Sequence, residues 1–575
     1  MSGIPFCFFV VIHCRIQQAL QSAVAAELPD ADLSRVLVRP CDPKFGDYQS
    51  NALMALAKQR KMNPRELAAA VERRLDVGEW CDSVEIAGAG FLNFSLRPAA
   101  VAAQLQAAAR GEHLFFVPSS TPRTVVIDFS SPNVAKPMHV GHIRSTILGD
   151  ALARVLRLLG HRVIADNHIG DWGTQFGMLL LGWKTQLDES ALATHPIDEM
   201  ERLYKAVNSD ESLRDAARAE LVKLQSGDEE NRAIWQRMIE LSQEQFDTIY
   251  NRLGVGFDYT LGESFYNDAL VGVIAELEEK NIAEESEGAL VVKFTDDPKL
   301  KKQPAIVRKS DGAANYTTTD LATLEYRQRE WSPDEILYVT DGRQQLHFQQ
   351  LFAIHKRWKP EVVANLVHVW FGSILSHDRT PYKTRSGEVV RLSALLNEAE
   401  ERAFTVVTEK NADLDEAARR EIARVIGIGA LKYADLSNNR QSDYIFDWDK
   451  MLALQGNTAP YLQYAYTRVR SIFRKGDIEN IDASAIILNE LEELALAKHL
   501  LNFGQVLENV AAEYRPNYLC NYLYELAGHF AAFYEACPVL KAGDEKQSRL
   551  LLCDLTARVM RQGLAVLGIE VSEQM

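Results

Sequence analysis

The chain has 575 residues, too many for a single hydrophobic core, and this length predicts roughly three or four domains. Hydrophobic residues make up 47% and charged residues 25%, the balance of a soluble globular protein rather than a disordered or fibrous one. A net charge of -16 excludes a generally basic nucleic-acid coat but leaves room for a local basic face.

The N-terminal run IPFCFFVVIHC has the apolar character of a signal-peptide core. No basic segment precedes it, no small-residue cleavage site follows, and it is too short to span a bilayer. It reads as a buried strand or helix start, or as an artefact of start-site assignment. At Asn63 to Glu66, NPRE combines an N-cap, a proline at the first helical position and a glutamate at the third, which starts a helix. In FLNFSLRP, Leu92, Phe94 and Leu96 alternate with Asn93 and Ser95 at the period of a half-buried strand. Residues 1–112 are therefore expected to form a small α+β domain, ending before the polar PSSTPR at 118–123.

The second region, 113–440, begins with TVVIDFS, a continuous apolar run suited to a strand buried on both faces. SSPNVAKPMHVGHIRSTILGD follows, with His139 and His142 where strand-like sequence gives way to helix-like sequence. Ile143, Ile147, Leu148, Ala151, Leu152, Val155 and Leu159 recur at helical spacing, Gly160 is a natural C-terminal cap, and HRVIAD reads as the next strand. Strand, helix, strand is a βαβ unit, and DEILYVTD and ANLVHVWFGSIL supply further buried parallel strands. Residues of about 185–255 form a polar helical insertion carrying one apolar stripe: Ile234, Met238, Leu241, Phe246, Ile249 and Leu253. From 441 to 575 almost everything reads as helix. Phe503, Val506 and Val510, then Tyr522, Leu526, Phe530 and Phe533, mark the apolar faces of a bundle.

The seven cysteines (Cys7, Cys14, Cys41, Cys81, Cys520, Cys537, Cys553) include no C-x-x-C pair. Neither a zinc knuckle nor a disulfide framework is expected, and reduced thiols of a cytoplasmic protein are. Two histidines near a helix start are, taken alone, more often structural than catalytic. Their place in a βα turn of a parallel sheet, where ligands bind and the helix start favours phosphate, points the other way. Gly141 would allow close approach of a nucleotide, and the imidazoles could donate to phosphate oxygens as charge develops.

HVGH at 139–142 resembles the HIGH signature of class I aminoacyl-tRNA synthetases, and SPNVAKPMHVGHIRST resembles its arginyl form. The resemblance continues through DNHIGDWGTQFG (166–177), GESFYND (262–268), YTTTDLAT (316–323), QQLHF (344–348), FDWDKMLALQGNTAPYLQYAYTRVRSI (446–472) and a terminal methionine, nearly the whole length. It implies a multidomain α/β protein. A Rossmann-type parallel-sheet catalytic domain stands between an N-terminal α+β domain that recognises tRNA and a C-terminal all-α anticodon-binding bundle. One departure is plain: where the second signature, KMSKS, should follow the strand near Ser373, the chain reads SHDRTPYKTRSGEVV. Lys383 and Arg385 supply the cations of a degenerate version, with an exposed basic loop that merely solvates as the alternative.

The chemistry the resemblance implies is ATP-dependent ligation of arginine to tRNA(Arg) through an arginyl-adenylate, with AMP and pyrophosphate released and adenylate formation requiring tRNA. His139, His142, Lys136, Lys383 and Arg385 become the catalytic donors, and Pro132, Asn133, His139, Gly141 and His142 the ATP site. Mg²⁺ accompanies ATP as substrate, and no structural metal is implied. Asn133, Glu263, Tyr316, Asp320 and Gln344 are implied to bind arginine, whose planar, permanently charged guanidinium suits carboxylates and a phenol. For Asp320 the alternative is a helix N-cap after TTT, and for Glu263 a solvated loop acid. Tyr316 and Asp320, four apart, share a face if one helix holds both. Arg468, Arg470, Arg474 and Lys475, interleaved with Tyr461, Tyr464 and Tyr466, offer a phosphate-and-stacking surface for tRNA, or only a solvated helix face. A cysteinyl-type class I ligase would need zinc-ligand cysteines between Cys81 and Cys520, where there are none; a non-catalytic tRNA-binding paralogue would lose the histidines or the loop cations. The expected enzyme is monomeric, cytoplasmic and without a membrane partner.

Overall fold

The computed structural model describes residues 11–382, 389–482, 486–573 and 575. The described residues divide into two compact units, one within 120–452 and 567–569, the other within 11–119, 453–566 and 570–575.

The first unit is built on five parallel strands: β1 (Thr124–Asp128), β2 (Arg162–Asn167), β3 (Tyr259–Thr260), β4 (Glu335–Tyr338) and β5 (Asn365–His368), in the order β5-β4-β1-β2-β3. The apolar runs in the sequence sit here because both sheet faces are covered. Val125, Val126, Ile127, Ile336 and Leu337 have no solvent exposure. Between β1 and β2 runs helix α1 (Val140–Leu158), closed by Gly160 at φ 84, where glycine avoids the left-handed penalty. Helices α2 (Tyr316–Trp331) and α3 (Gln345–Trp358) pack with a separate antiparallel sheet of Glu284–Ser286, Ala289–Val292 and Ala305–Arg308 into one core with Val126, Ile164 and Ile336.

Parallel register sets Asp128 directly beside Asp166 at the carboxyl ends of β1 and β2. Two adjacent carboxylates repel, and α2 resolves this with Arg327, itself fully buried, whose Nη2 lies 2.7 Å from Asp128 and 2.8 Å from Asp166. Removing the guanidinium would leave two buried charges unpaired, at a cost of roughly 3–5 kcal/mol. The same triad fixes α2 against the sheet edge. The insertion is helical, with Glu189–Thr194, Pro196–Asn208, Arg214–Ser226 and Glu229–Leu253, and Met238, Leu241, Phe246, Ile249 and Leu253 of its stripe are buried.

In the second unit, Pro64–Glu72 is the helix that NPRE predicts, with the Asn63 side chain accepting from the Arg65 N–H. Phe91–Leu96 lies in a four-stranded antiparallel sheet, and Asn93 is buried along with the apolar residues because its amide oxygen accepts from Gln49. Of the apolar N-terminal run, residues 1–10 lie outside the described residues, while Ile12–Glu27 is a helix. The bundle comprises Ala459–Gly476, Leu491–Leu501, Phe503–Glu513, Asn517–Ala536 and Lys546–Val566. Back in the first unit, Tyr444–Ile445, which reads as helical in the sequence, instead pairs as a short strand with Ile374–Leu375. Among the described residues no helix is long and apolar enough to cross a membrane.

Candidate active site

The two histidines form the start of α1. His139 is its N-cap, with Nδ1 accepting from the Gly141 N–H at 3.0 Å, and the His142 Nδ1 accepts from the His139 N–H at 3.1 Å, a capping box made of imidazoles. The rings lie 4.0 Å apart. Burial lowers the pKa of both; for His142 burial, reinforced by the neighbouring His139, brings it down to about 3. Both rings are then neutral at pH 7, and because each Nδ1 is an acceptor the proton sits on Nε2. The site therefore offers two fixed N–H donors without a resident charge. A Cβ added at Gly141 would stand 2.8 Å from His139 Cε1. The close approach this glycine permits here is that of the catalytic-candidate ring itself.

The backbone leading into α1 is bent by three non-glycine residues at positive φ: Ser130 (72°), Ser131 (48°) and Ala135 (60°). Hydrogen bonds pin each one. Ser130 N donates to Ser145 Oγ (2.9 Å), Ser131 N to Asn167 Oδ1 (3.0 Å) and Ala135 N to Ser242 Oγ of the insertion (2.9 Å). Pro132 is buried, and Asn133 is exposed and bridges in parallel to Gly170, where a Cβ would fall 2.3 Å from the Asn133 Oδ1. Glu263 N donates to Ile169 O, so Asn133, the loop 168–171 and Glu263 are contiguous.

Glu263 opens the 3-10 turn Glu263–Ala269 and is half-buried rather than a solvated loop acid. Burial, reinforced by Asp320 and Asp171 and opposed by His168, raises its carboxyl to about 7. Tyr316 begins α2 and Asp320 lies one turn on, so they share a helix; the N-cap is Asn315, which removes the capping alternative for Asp320. Asp320 Oδ2 is 2.5 Å from His347 Nε2, and the Tyr316 ring meets the His347 ring edge-on at 4.9 Å. Gln344 is exposed and caps α3. Carboxylates thus gather here with a phenol close by, and among the described residues no arginine or lysine pairs with them, an environment that a bound guanidinium would neutralise.

Lys383 and Arg385 lie outside the described residues, but the flanking chain is fixed against α1. Val140 N donates to Val390 O (2.9 Å), Leu392 N to Met138 O (2.9 Å), and His139 bridges to Arg391. On the other side, buried Arg144 of α1 donates to Gly372 O (2.7 Å) and Ser442 O (3.2 Å). Lys136 is exposed and faces the insertion, its ammonium 5.4 Å from the Tyr204 ring centroid.

The family profile described as tRNA synthetases class I (R), catalytic domain, matches residues 104–448; the Arginyl tRNA synthetase N terminal domain matches 11–96 and the DALR anticodon binding domain 462–575. Arginine–tRNA ligases of Chromobacterium violaceum and Proteus mirabilis are 47% and 46% identical to this chain, each match covering 98% of it and 100% of the relative. The chain belongs to the arginyl-tRNA synthetases. Solved arginyl-tRNA synthetase structures from Plasmodium falciparum (29% identity, TM-score 0.81, 98% of this chain and 99% of that one) and Thermus thermophilus (26%, 0.82, 98% and 100%) share its fold.

In this arginyl-tRNA synthetase the basic, aromatic helix Ala459–Gly476 presents its predicted residues on different faces. Tyr464 is 48% exposed and Arg468 lies over the Tyr534 ring, with Tyr461 beside Tyr524 and Lys475 exposed. Arg470 and Arg474 face Glu573, at 3.0 Å and 4.0 Å. Tyr466 is buried with its hydroxyl donating to Glu573, so it is no stacking platform. His347, His168 and Asp171 also belong to the site, although no spacing in the sequence marks them. All three stand inside the motifs QQLHF and DNHIGDWG, where a titratable residue among glycines and aromatics was the available signal.

Proposed function

We propose that this chain ligates L-arginine to tRNA(Arg), and the observation that carries the reading is the histidine pair at the start of α1, whose Nδ1 atoms are both taken by backbone N–H groups. The arginine carboxylate attacks the α-phosphorus of ATP, the bond to the β,γ-phosphates breaks, and pyrophosphate leaves. The terminal ribose hydroxyl of tRNA then attacks the arginyl carbonyl and AMP leaves. Such transfer depends on positioning and charge stabilisation, so no protein nucleophile is needed. His139 and His142 donate to phosphate oxygens as negative charge builds, and being neutral beforehand they do not bind the ground state too tightly. Lys136, Lys383 and Arg385 supply cations toward the leaving pyrophosphate, and Mg²⁺ arrives with ATP. Pro132, Asn133 and Gly141 shape the nucleotide site.

Glu263, Tyr316 and Asp320 receive the guanidinium, while Asn133 and Gln344 hold the amino-acid end. His347 orients Asp320. Residues 1–112 and 441–575 serve tRNA recognition and anticodon binding, with Tyr461, Tyr464, Arg468 and Lys475 as contacts and Arg470 and Arg474 as secondary ones; 113–440 carry catalysis, with the insertion at about 185–255. The enzyme works as a cytoplasmic monomer. ATP–pyrophosphate exchange over a panel of amino acids including lysine and cysteine, with and without tRNA, tests this. Exchange with arginine alone among them, and only when tRNA is present, is expected; exchange with another amino acid, or none with any, would contradict it.

A further inference from the structure

We infer that His13, Cys14 and Glu508 form a binding site for a borderline-soft divalent cation such as Zn²⁺. His13 and Cys14 stand in the first turn of helix Ile12–Glu27, and Glu508 in helix Phe503–Glu513 of the same compact unit. Cys14 Sγ lies 3.3 Å and Glu508 Oε1 3.5 Å from His13 Nε2, and the three atoms all fall within 4.8 Å of one another.

Consecutive helical side chains point away from each other, so the convergence of His13 and Cys14 on one point is not what helix geometry supplies by itself. The spacing is also informative. At 3.5 Å the histidine–glutamate contact is longer than a good hydrogen bond. Both contacts match the roughly 3.3–3.6 Å edges between N, O and S ligands of a tetrahedral zinc ion. The thiol and the carboxylate lie no more than 4.8 Å apart, so a small shift of the part-exposed Glu508 side chain closes the third edge on an ion held by all three.

The donor set fits the same cation. Thiolate, imidazole and carboxylate together select zinc-like metals over Mg²⁺ or Ca²⁺, and one thiolate with one carboxylate balances a 2+ charge. His13 is 2% exposed and, among the described residues, its Nδ1 has no hydrogen-bond partner, so the polar contacts of this buried ring are directed at the cluster. Glu508, with its side chain 46% exposed, leaves the fourth position to water. Loading binds Cys14 as thiolate and His13 as neutral imidazole through Nε2, and the protons these two groups carry in the metal-free protein pass to solvent.

The test uses the full-length protein, stripped with chelator and titrated with Co²⁺ as the spectroscopic probe. One equivalent should produce a thiolate-to-cobalt charge-transfer band with tetrahedral visible bands, displaced by Zn²⁺. Cys14→Ser should abolish the charge-transfer band. Glu508→Gln should weaken Co²⁺ binding by about tenfold or more. Cys41→Ser, at another half-buried cysteine, should retain the band. No band in the wild-type protein, or a band that survives Cys14→Ser, overturns the inference.

Discussion

The carboxyl of Glu263 makes arginine binding pH-dependent in a window where the substrate itself does not titrate. Burial, with Asp320 and Asp171 beside it, raises Glu263 to about 7 in the arginine-free protein. A guanidinium placed against it favours the carboxylate, so binding expels a proton from the protonated fraction. With a midpoint near 7, about a tenth of the carboxyl is ionised at pH 6 and about nine-tenths at pH 8. Arginine affinity should therefore rise about tenfold over that interval, or roughly 1.4 kcal/mol. Calorimetry in two buffers of different ionisation enthalpy should find about half a proton released per arginine at pH 7, and Glu263→Gln should flatten the profile. The sign for folding is opposite. A carboxyl raised above its ordinary 4.5 contributes stability below that value and loses it as pH rises through 7, so the arginine-free protein should weaken from pH 5 to 8 and arginine should restore it. Affinity that stays level between pH 6 and 8, or a slope that persists in Glu263→Gln, would refute the reasoning.

Asp320→Asn keeps the shape and the His347 contact but removes the charge; arginine kcat/KM should fall about 30-fold to several thousandfold with ATP KM almost unmoved, and lysine should not be rescued. Lost thermal stability with intact arginine kinetics would instead make Asp320 structural. Gly141→Ala should slow adenylate formation by about a hundredfold, since a Cβ 2.8 Å from His139 Cε1 must displace that ring, while circular dichroism stays that of the wild type. Wild-type exchange rates in this variant would remove His139 from the chemistry. Lys383→Ala should cost about 3 kcal/mol in the transition state, near a hundredfold in kcat, with arginine binding nearly intact. An unchanged kcat would pass the role to Arg385 or Lys136.

The elements legible in the sequence are those whose signal is local. TVVID, HRVIAD and EILY are strands because two covered faces demand unbroken apolar runs, and Gly160 ends α1 because only a residue tolerant of positive φ can turn there. The histidine pair was legible as a pair, but not the capping box that fixes its tautomers, since backbone donors leave no mark in the residue string. His347 leaves no mark in the sequence because its partner Asp320 comes from another helix, a contact set by how α2 and α3 pack and not by spacing. In the residue string Tyr466 is indistinguishable from half-buried Tyr461 and exposed Tyr464; only its phase on the helix, turned toward Glu573 near the chain end, sets it apart. Tyr444–Ile445 became a strand because Ile374–Leu375 offers a partner edge that helical periodicity cannot reveal.

The central claim is tested most directly by incubating the purified protein with ATP, Mg²⁺, radiolabelled arginine and tRNA(Arg), and following label carried into the tRNA together with AMP. Arginyl-tRNA formed in step with AMP release, falling by a hundredfold or more in His142→Ala, is the predicted result. Label that never reaches the tRNA, or charging that proceeds unchanged without His142, would contradict the account.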